Sequence, residues 1–400
     1  MIHLTKEQEE ISDLIIDYAI GRVNAPYIAV SGYAGTGKTT VLGYAAAQVI
    51  ALCPKKAIAY CAPTGKAASV LQKKLQDFGA LNKKSLVHTI HGHIYKLLGR
   101  NNGTYNWAKK SSELPYELIV VDEASMVTSQ MFRDLLSFKI PIVFIGDSGQ
   151  LPPINDKPFA PLQKTPYSLK TVHRQALENP IISVATDIRN GEEIPFGSRK
   201  DKFLKISRED PRISKVYGMM FDAIEHKDTI VLCGMNNTRI DMNKTIRNKL
   251  GYTDALPMIG EHIMCFRNDR NLDLFNGQIY TVTESLGYGV NESCYYVRLE
   301  NNHVVLAYTG ALNINHGRDL GRKMNADAAE IQKNCSRSLQ AEPCIFDYGY
   351  ACSVHKAQGS EWDNVFLYDE RSMYMSDEEH RQWLYTGVTR ARNSLVVLAA

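Results

Sequence analysis

The sequence lacks the features that would place the chain in a membrane or in the secretory pathway. No apolar run among its 400 residues approaches the roughly 18 consecutive residues that a membrane helix needs. The opening residues, MIHLTKEQEE, have neither the basic flank nor the apolar segment of a signal peptide. We therefore expect an intracellular, cytoplasmic protein with no membrane partner.

Paired cysteines and a strong charge bias are also missing. The eight cysteines are scattered and include no Cys-x-x-Cys pair, so neither a zinc site nor a disulfide framework is indicated. A formal net charge of +3 permits a polyanionic partner without requiring one, because charged patches matter more than the total. The 44% apolar content is enough for a substantial core, and the length suggests roughly two to four domains.

Short apolar runs alternate with helical stretches along most of the chain. In the first half the runs are YIAVS, AIAYCAPT, LIVVDEAS and IPIVFIGD, and in the second half TIVLCGMN, NVFLYD and SLVVLAA. This alternation is typical of parallel sheets covered by helices on both faces. We expect an α/β protein with two such cores.

Two stretches interrupt the alternation and resemble insertions. The first, residues 93–110, carries Asn102 and Gly103 between aromatic-containing arms, which predicts a tight β-hairpin. The second, Met258 to Gly310, is rich in Val, Tyr and Thr and predicts a small antiparallel barrel or sheet. An amphipathic helix should follow, because Leu320, Met324, Ala328, Ile331, Cys335 and Leu339 recur at spacings of three and four.

A phosphate-binding motif follows the first apolar run. The stretch GYAGTGKT, from Gly32 to Thr39, fits the pattern G-x-x-x-x-G-K-[ST] between a strand and a helix. Backbone amides and a helix N-terminus would face the anion, Lys38 would reach the β- and γ-phosphates, and the Thr39 hydroxyl would hold Mg²⁺. A merely structural glycine turn is the weaker alternative in this context.

Acidic and amide side chains end two further runs. Asp122 follows LIVV and would hold Mg²⁺, and the adjacent Glu123 would orient and deprotonate the attacking water. Gln150, just past VFIG, is placed to detect the γ-phosphate. Arg174 and Arg390 could supply positive charge to the transition state across a cleft between the cores, although each alone also fits a surface ion pair. Gln8 fits both a capping box with Thr5 and a contact with the adenine edge.

Nine motifs in order resemble those of superfamily 1 helicases, specifically the RecD/Dda-like branch. They are LTKEQ, GYAGTGKTT, APTGKAA, TIHG, VVDEASM, GDSGQLPP, HRQ, YACSVHKAQGSEW and YTGVTRAR, and together they cover nearly the whole chain. The resemblance implies an ATP-dependent DNA helicase that moves 5′ to 3′ on single-stranded DNA, with ATP and Mg²⁺ as cofactors. A single-stranded DNA translocase, or a remodeller that displaces proteins without strong unwinding, is the alternative.

The resemblance also implies roles for individual residues. The nucleotide and its metal would be held by Gln8, Gly35, Thr36, Gly37, Lys38, Thr39, Thr40, Asp122, Gly359 and Glu361, with Glu123, Gln150, Arg174 and Arg390 catalytic. Single-stranded DNA would run along Pro63, Thr64, His91, Ser353, His355 and Lys356, with Gln358 linking this track to the nucleotide. Thr64 also fits a helix N-cap, and the two histidines also fit structural positions.

Domain boundaries and partners follow from the same resemblance. Two RecA-like cores are expected, at residues 1–175 and at 176–257 with 341–400, and residues 258–340 would form an inserted β-barrel with its helix. The expected substrates are single strands and junctions with duplex DNA. The protein should be a monomer, a single-strand-binding or replication protein is left open as a partner, and the short length is typical of a phage-type or accessory enzyme. A nucleotide switch, a nuclease and a structural adaptor are the competing classes.

Overall fold

The computed structural model describes residues 3–101, 104–110, 113–172, 178–269, 271–316, 319–338, 340 and 342–400. The chain divides into two compact units. The first comprises Met1–Leu98, Trp107–Glu192 and Arg381–Thr389, and the second comprises Gly99–Asn106, Glu193–His380 and Arg390–Ala400.

Helices and strands alternate along the described chain. The helices are α1 Lys6–Ala19, α2 Lys38–Leu52, α3 Gly65–Asp77, α4 Ile90–Ile94, α5 Ser129–Leu136, α6 Ala160–Lys164, α7 Pro180–Arg189, α8 Ile213–Ala223, α9 Asn236–Lys249, α10 Leu320–Ala326, α11 Ala328–Cys335, α12 Val354–Ala357 and α13 Asp377–Val388. The strands are β1 Tyr27–Gly32, β2 Ile58–Ala62, β3 Leu86–Thr89, β4 Tyr95–Asn101, β5 Thr104–Lys109, β6 Leu118–Val121, β7 Ile142–Gly146, β8 Ser168–Leu169, β9 Gly197–Arg199, β10 Phe203–Ser207, β11 Thr229–Cys233, β12 His262–Cys265, β13 Ile279–Tyr288, β14 Cys294–Leu299, β15 Val304–Tyr308, β16 Phe346–Tyr348, β17 Ala351–Ser353, β18 Trp362–Tyr368 and β19 Ala391–Ala399.

The first unit is built on a parallel sheet of six strands in the order β3-β2-β6-β7-β1-β8. Every residue of β2, β6 and β7 is buried, which explains why these strands appear in the sequence as unbroken apolar runs rather than alternating ones. The predicted strands are therefore present. The strand β3 was missed because none of its four residues is buried and its apolar pattern is weak.

Helix α1 begins at a capping box formed by Thr5 and Gln8. The Thr5 hydroxyl accepts from the Gln8 backbone amide, and the Gln8 side chain accepts from the Thr5 amide, so two otherwise unpaired groups are satisfied. Ile11, Ile15 and Tyr18 then face the core at spacings of three and four.

The second unit contains another six-stranded sheet, in the order β17-β11-β18-β19-β10-β9. Its strands are parallel except for the edge pair of β9 and β10. The apolar strand β11 is wholly buried, as the sequence pattern indicated. The α/β class with a parallel-sheet core is thus confirmed.

The Val- and Tyr-rich stretch forms an antiparallel sheet, and the expectation of a closed barrel was wrong for the described residues. Its five strands run in the order β15-β14-β13-β12-β16, with β15 and β16 at the edges. Among the described residues, an isolated bridge joins Ala307 of β15 to Cys344, which lies two residues before β16. The strand β16 is only three residues long, so it is too short to close the ladder around the sheet.

The amphipathic helix after this sheet is divided into α10 and α11 at Asp327. The Asp327 carboxylate accepts a hydrogen bond of 2.6 Å from the Tyr308 hydroxyl, and its backbone leaves the helical region with ψ of 8°. Met324 lies in an apolar cluster with Tyr308 and Ile345, and Cys335 lies in another. Leu339, assigned to this helix from its spacing, lies outside the described residues.

The predicted hairpin is present as the two-stranded sheet of β4 and β5. Its turn residues Asn102 and Gly103 lie outside the described residues. Tyr95 and Trp107 lie at the base of the arms, at the start of β4 and two residues before the end of β5, so neither is at the tip.

None of the described helices is both long and apolar enough to cross a membrane. All eight cysteines are free, and seven of them are buried as small apolar residues.

Candidate active site

The sheet topology of the first unit brings the predicted nucleotide-binding residues to one edge. The phosphate loop follows β1, Gln150 follows the adjacent strand β7, and Asp122 directly follows β6, the next strand in the sheet. Because the three strands are parallel, their carboxyl ends lie at the same edge. Ligands of open α/β sheets bind at this edge.

The phosphate loop has the backbone geometry that its glycines predict. Gly35 and Gly37 have φ of 78° and 82°, a region that glycine enters without steric cost, and Gly37 is the N-cap of α2. A Cβ atom at Gly32 would lie 2.8 Å from Cγ of Lys38. A side chain at this glycine would therefore displace the lysine.

Lys38 is held between the loop and a buried carboxylate. Its Nζ donates to the carbonyl oxygen of Tyr33 at 3.0 Å and lies 3.8 Å from Oδ2 of Asp147. Thr36 is fully buried and its hydroxyl donates to the same Tyr33 carbonyl at 2.8 Å. Thr39 and Thr40 lie in the first turn of α2 and are half-buried.

Asp122 and Glu123 end β6 beside the phosphate loop. One carboxylate oxygen of Asp122 accepts from the backbone amide of Glu123 at 2.9 Å. Burial raises the pKa of Asp122, while that amide and the positive charges of Lys38 and Lys74 act in the opposite direction. Glu123 has φ of 51°, a left-handed conformation that is uncommon for residues other than glycine.

Gln8 combines a structural role with a contact to the phosphate loop. Besides closing the capping box, its Nε2 donates to the carbonyl oxygen of Thr36 at 3.0 Å, and the residue is only 2% exposed. The capping-box interpretation is therefore correct. The contact with an adenine edge stays a prediction.

Gln150 is buried next to a small cavity. Its Oε1 and the Ser125 hydroxyl have no hydrogen-bond partner among the residues that the structure describes. Both residues line a cavity of about 10 Å³, which is close to the volume that one water molecule requires. Buried polar atoms of this kind need a partner, so Oε1 of Gln150 is placed to accept a hydrogen bond from a water.

Two residues that sequence reasoning missed complete the site of the first unit. Asp147 is fully buried, and its Oδ1 accepts from the Gly149 amide at 2.9 Å. Tyr385 donates its hydroxyl to Oδ2 of Asp147 at 2.7 Å and accepts from the Ala34 amide of the phosphate loop at 3.0 Å. Asp147 could have been noticed as an acid directly after VFIG. Tyr385 is 238 residues away in the chain, and no local pattern links the two.

The remaining predicted nucleotide residues belong to the second unit or lie outside the described residues. Arg390 belongs to the second unit, is 4% exposed and donates to the carbonyl of Ser360 at 3.2 Å. Gly359 has φ of 73°, and Glu361 is exposed just before β18. Arg174 lies outside the described residues. Their contacts with the nucleotide stay predictions.

The predicted DNA-contacting residues of the first unit follow β2 and β3. Pro63 is half-buried, and Thr64 caps α3 by accepting from the Ala67 amide at 3.1 Å, so its N-cap interpretation is correct. The ring of His91 contacts Tyr95 and Trp107 at centroid distances of 5.1 and 5.8 Å. Burial lowers the pKa of His91.

The predicted DNA-contacting residues of the second unit follow β17. Ser353 is the N-cap of α12, with a distance of 3.4 Å from its hydroxyl to the Lys356 amide. Lys356 is exposed, and its ammonium lies 5.2 Å from the centre of the Phe266 ring. Burial lowers the pKa of His355. A DNA contact by any of these residues stays a prediction.

A glycine-rich loop between β1 and α2, with acidic and amide groups on neighbouring strand ends, defines a phosphate-loop nucleotide-binding domain. The family model described as an AAA domain matches residues 5–205, half of the chain, and the chain therefore belongs to this family. A second model, described as a UvrD-like helicase C-terminal domain, matches residues 348–398.

Similar proteins confirm the resemblance to RecD/Dda-type superfamily 1 helicases that the nine motifs indicated. The chain is 27% identical over 409 residues to the ATP-dependent RecD2 DNA helicase of Deinococcus radiodurans, covering 98% of this chain and 48% of that protein. It is 27% identical over 425 residues to the ATP-dependent DNA helicase Dda of Enterobacteria phage T4, covering 92% and 93%. The chain thus spans about half the length of the RecD2 relative.

Two solved structures share the fold. The structure of two coordinating Pif1 helicases at forked double-stranded DNA has a TM-score of 0.55 and 19% identity, with 99% of this chain and 92% of that chain covered. A Bacteroides Pif1 helicase in complex with ADP-AlF3 and single-stranded DNA has a TM-score of 0.53 and 18% identity, with the same coverage.

Proposed function

We propose that the chain is an ATP-dependent DNA helicase that moves along single-stranded DNA from 5′ to 3′. The observation that carries this proposal is the placement of Lys38, Asp122 and Gln150 after the carboxyl ends of three neighbouring parallel strands. The relatives named RecD2 and Dda are ATP-dependent DNA helicases, and one structural neighbour holds single-stranded DNA. These names support DNA as the substrate.

ATP fits the phosphate loop by the character of its donors. The loop offers backbone amides at a helix N-terminus together with the ammonium of Lys38, a combination that binds phosphates. Mg²⁺ fits the oxygen donors of Thr39 and Asp122. This ion is commonly held by one or two protein oxygens together with phosphate and water. When bound, it would neutralise charge on the phosphates.

Side chains of the protein activate the attacking water and stabilise the transition state. Glu123, next to the metal-binding acid, orients the attacking water and takes its proton. The amide of Gln150 offers an oxygen and two N–H donors to that water or to a phosphate oxygen. Arg174 and Arg390 supply the positive charge that stabilises the transferred phosphoryl group.

We further propose two RecA-like cores with the boundaries that the sequence suggested, namely 1–175 and 176–257 with 341–400, and an inserted module at 258–340. A single strand is held by hydroxyls and backbone amides around Thr64 and Ser353 and by the ammonium of Lys356, without reading its sequence. The hairpin of β4 and β5 separates the duplex at the junction. The protein acts as a monomer in the cytoplasm or in a phage-infected host, with a single-strand-binding or replication protein as partner.

Two partial duplexes, one with a 5′ tail and one with a 3′ tail, test the activity and its direction. We expect ATP-dependent unwinding of the 5′-tailed substrate alone. Equal or preferred unwinding of the 3′-tailed substrate would show that the direction is wrong.

Deleting residues 98–105 should abolish unwinding while DNA-stimulated ATP hydrolysis persists, and loss of both activities would contradict the role of the hairpin.

Substitutions in the site test the roles of individual residues. Lys38→Ala should lose DNA-stimulated hydrolysis, whereas Lys164→Ala, an exposed lysine of the same unit, should keep it. Glu123→Gln should bind ATP like the unsubstituted protein and lose turnover by about 10²-fold or more, because a general base contributes about that much. Normal hydrolysis by Lys38→Ala would exclude the proposed site.

A further inference from the structure

A single tyrosine hydroxyl connects the phosphate loop to the buried carboxylate beside its lysine. Tyr385 is 2% exposed, and its hydroxyl accepts from the Ala34 amide at 3.0 Å while donating to Oδ2 of Asp147 at 2.7 Å. A hydroxyl can serve as donor and acceptor at once. The residues Arg381–Thr389, which include Tyr385, pack as part of the first unit.

The bond to Asp147 is the stronger of the two because its acceptor is ionised. Burial raises the pKa of Tyr385 well above its ordinary value, and the charge of Asp147 raises it further. The hydroxyl therefore stays protonated at neutral pH and remains a donor. The next residue, Thr386, accepts from the Leu151 amide at 2.9 Å, which fixes the helix beside the segment that carries Asp147.

Asp147 has two competing partners at the same oxygen. Its Oδ2 lies 2.7 Å from the Tyr385 hydroxyl and 3.8 Å from Nζ of Lys38. The carboxylate has no solvent exposure, and a buried charge must be compensated by hydrogen bonds or an opposite charge. If the hydroxyl is removed, the ammonium of Lys38 is the group that the structure places next to this oxygen.

We propose that Tyr385 is a positioning residue that leaves Lys38 free for phosphate by occupying the oxygen of Asp147 that would otherwise bind the lysine. The inference rests on the proposed nucleotide-binding function of this loop. The same hydroxyl fixes the Ala34 amide, and the Tyr33 ring next to it is covered by the guanidinium of Arg189 at 3.9 Å. The loop is thus anchored at two consecutive residues, Tyr33 and Ala34.

The substitution Tyr385→Phe removes the hydroxyl and keeps the ring. Binding of mant-ADP with Mg²⁺, followed by fluorescence, should weaken about 10-fold, which corresponds to about 1.4 kcal/mol. The KM for ATP should rise by a similar factor while kcat stays close to that of the unsubstituted protein. The KM should rise without a change in kcat because Lys38 pairs with Asp147 only while the protein is free of nucleotide. Separating this pair weakens nucleotide binding, but in the bound complex Lys38 again contacts phosphate.

Tyr18→Phe is the matched control. The Tyr18 hydroxyl also accepts from a backbone amide, that of Ile142 at 3.0 Å, and donates to a carbonyl, that of Ala25 at 3.0 Å, and the residue is equally buried. It does not contact the phosphate loop in these hydrogen bonds. Both variants should lose thermal stability, and Tyr18→Phe should bind mant-ADP like the unsubstituted protein.

The substitution Asp147→Asn distinguishes positioning from a structural effect. In the Tyr385→Phe background it removes the charge that captures Lys38, so the double variant should bind mant-ADP more tightly than Tyr385→Phe alone. A structural role predicts additive losses instead. If Tyr385→Phe alone does not fold, the double variant is compared with Asp147→Asn alone: equal binding of mant-ADP supports the inference, because without the carboxylate there is no charge to capture Lys38, and weaker binding by the double variant overturns it.

The outcomes also separate this inference from the proposed function. If the unsubstituted protein does not bind mant-ADP or hydrolyse ATP, the proposed function fails. If it does both and Tyr385→Phe has the same Kd and KM, only the role of Tyr385 is refuted.

Discussion

The buried ion pair between Arg239 and Asp347 in the second unit supports a specific stability prediction. Arg239 is 4% exposed and Asp347 is fully buried, and the guanidinium donates to Oδ2 of the carboxylate. The other carboxylate oxygen accepts from the backbone amides of Asn313 at 2.7 Å and Tyr348 at 2.8 Å. Asp347 thereby connects β16, helix α9 and the segment before α10.

The substitution Asp347→Asn keeps the size of the side chain and removes its charge. The guanidinium of Arg239 then remains buried without its counter-ion, and breaking a buried pair in this way costs about 3 to 5 kcal/mol. The amide also presents N–H groups to an environment of donors. For a unit of this size, we expect a decrease of roughly 6 to 20 °C in melting temperature.

The pair of Asp210 and Arg212 provides the matched control. Its two hydrogen bonds are similarly short, at 2.8 and 2.9 Å, but the side chain of Arg212 is 78% exposed. Solvent screens such a pair, so Asp210→Asn should leave the melting temperature nearly unchanged.

Differential scanning calorimetry and urea unfolding followed by circular dichroism measure the effect. Equal melting temperatures for Asp347→Asn and Asp210→Asn would refute the reasoning. Such a result would mean that the buried guanidinium finds another partner or that water reaches the site.

Two further predictions concern the proposed DNA-contacting residues of the first unit. Thr64→Ala should lower the free energy of unfolding by about 1 kcal/mol. Thr128→Ala, which removes an equivalent N-cap from α5, should lower it by a similar amount. Only Thr64→Ala should also weaken binding of single-stranded DNA, and equal DNA affinity of the two variants would contradict a role for Thr64. Because burial lowers the pKa of His91 in the folded state, the unfolded chain takes up the proton first as the pH falls, so stability is present above about pH 6.5 and is lost below it. His91→Gln should reduce the fall in unfolding free energy between pH 7 and pH 5, which urea titrations at each pH measure. An unchanged dependence of the unfolding free energy on pH would show that this histidine is not the cause.

Much of the fold was accessible from the sequence because buried parallel strands leave a strong local signal. YIAVS, LIVVDEAS and SLVVLAA are apolar over consecutive residues, and all three correspond to strands of the two α/β sheets. The short strands β8, β16 and β17 were missed because two or three residues cannot establish a pattern. The division of the last amphipathic helix at Asp327 was missed because it depends on the Tyr308 hydroxyl.

In the candidate site, too, residues that are close together in the chain were predictable, whereas contacts between distant residues were not. The phosphate loop was predictable because its glycines, Lys38 and Thr39 are consecutive and each has a local reason to be there. Gln8 was ambiguous in the sequence because its capping role is local, whereas its contact with Thr36 is not. Asp147 was passed over in favour of Gln150, although both belong to the same motif.

The sequence by itself determined the α/β class, the phosphate loop, the acids at the strand end and the resemblance to the RecD/Dda type of superfamily 1. These properties depend on residues that are close together in the chain. Only the tertiary structure decided that the Tyr-rich insertion is an open sheet, that Asp147 faces Lys38, and that the Tyr385 hydroxyl joins them. Such contacts are set by strand order and by packing between segments far apart in the chain, for which a sequence carries no local periodicity or spacing.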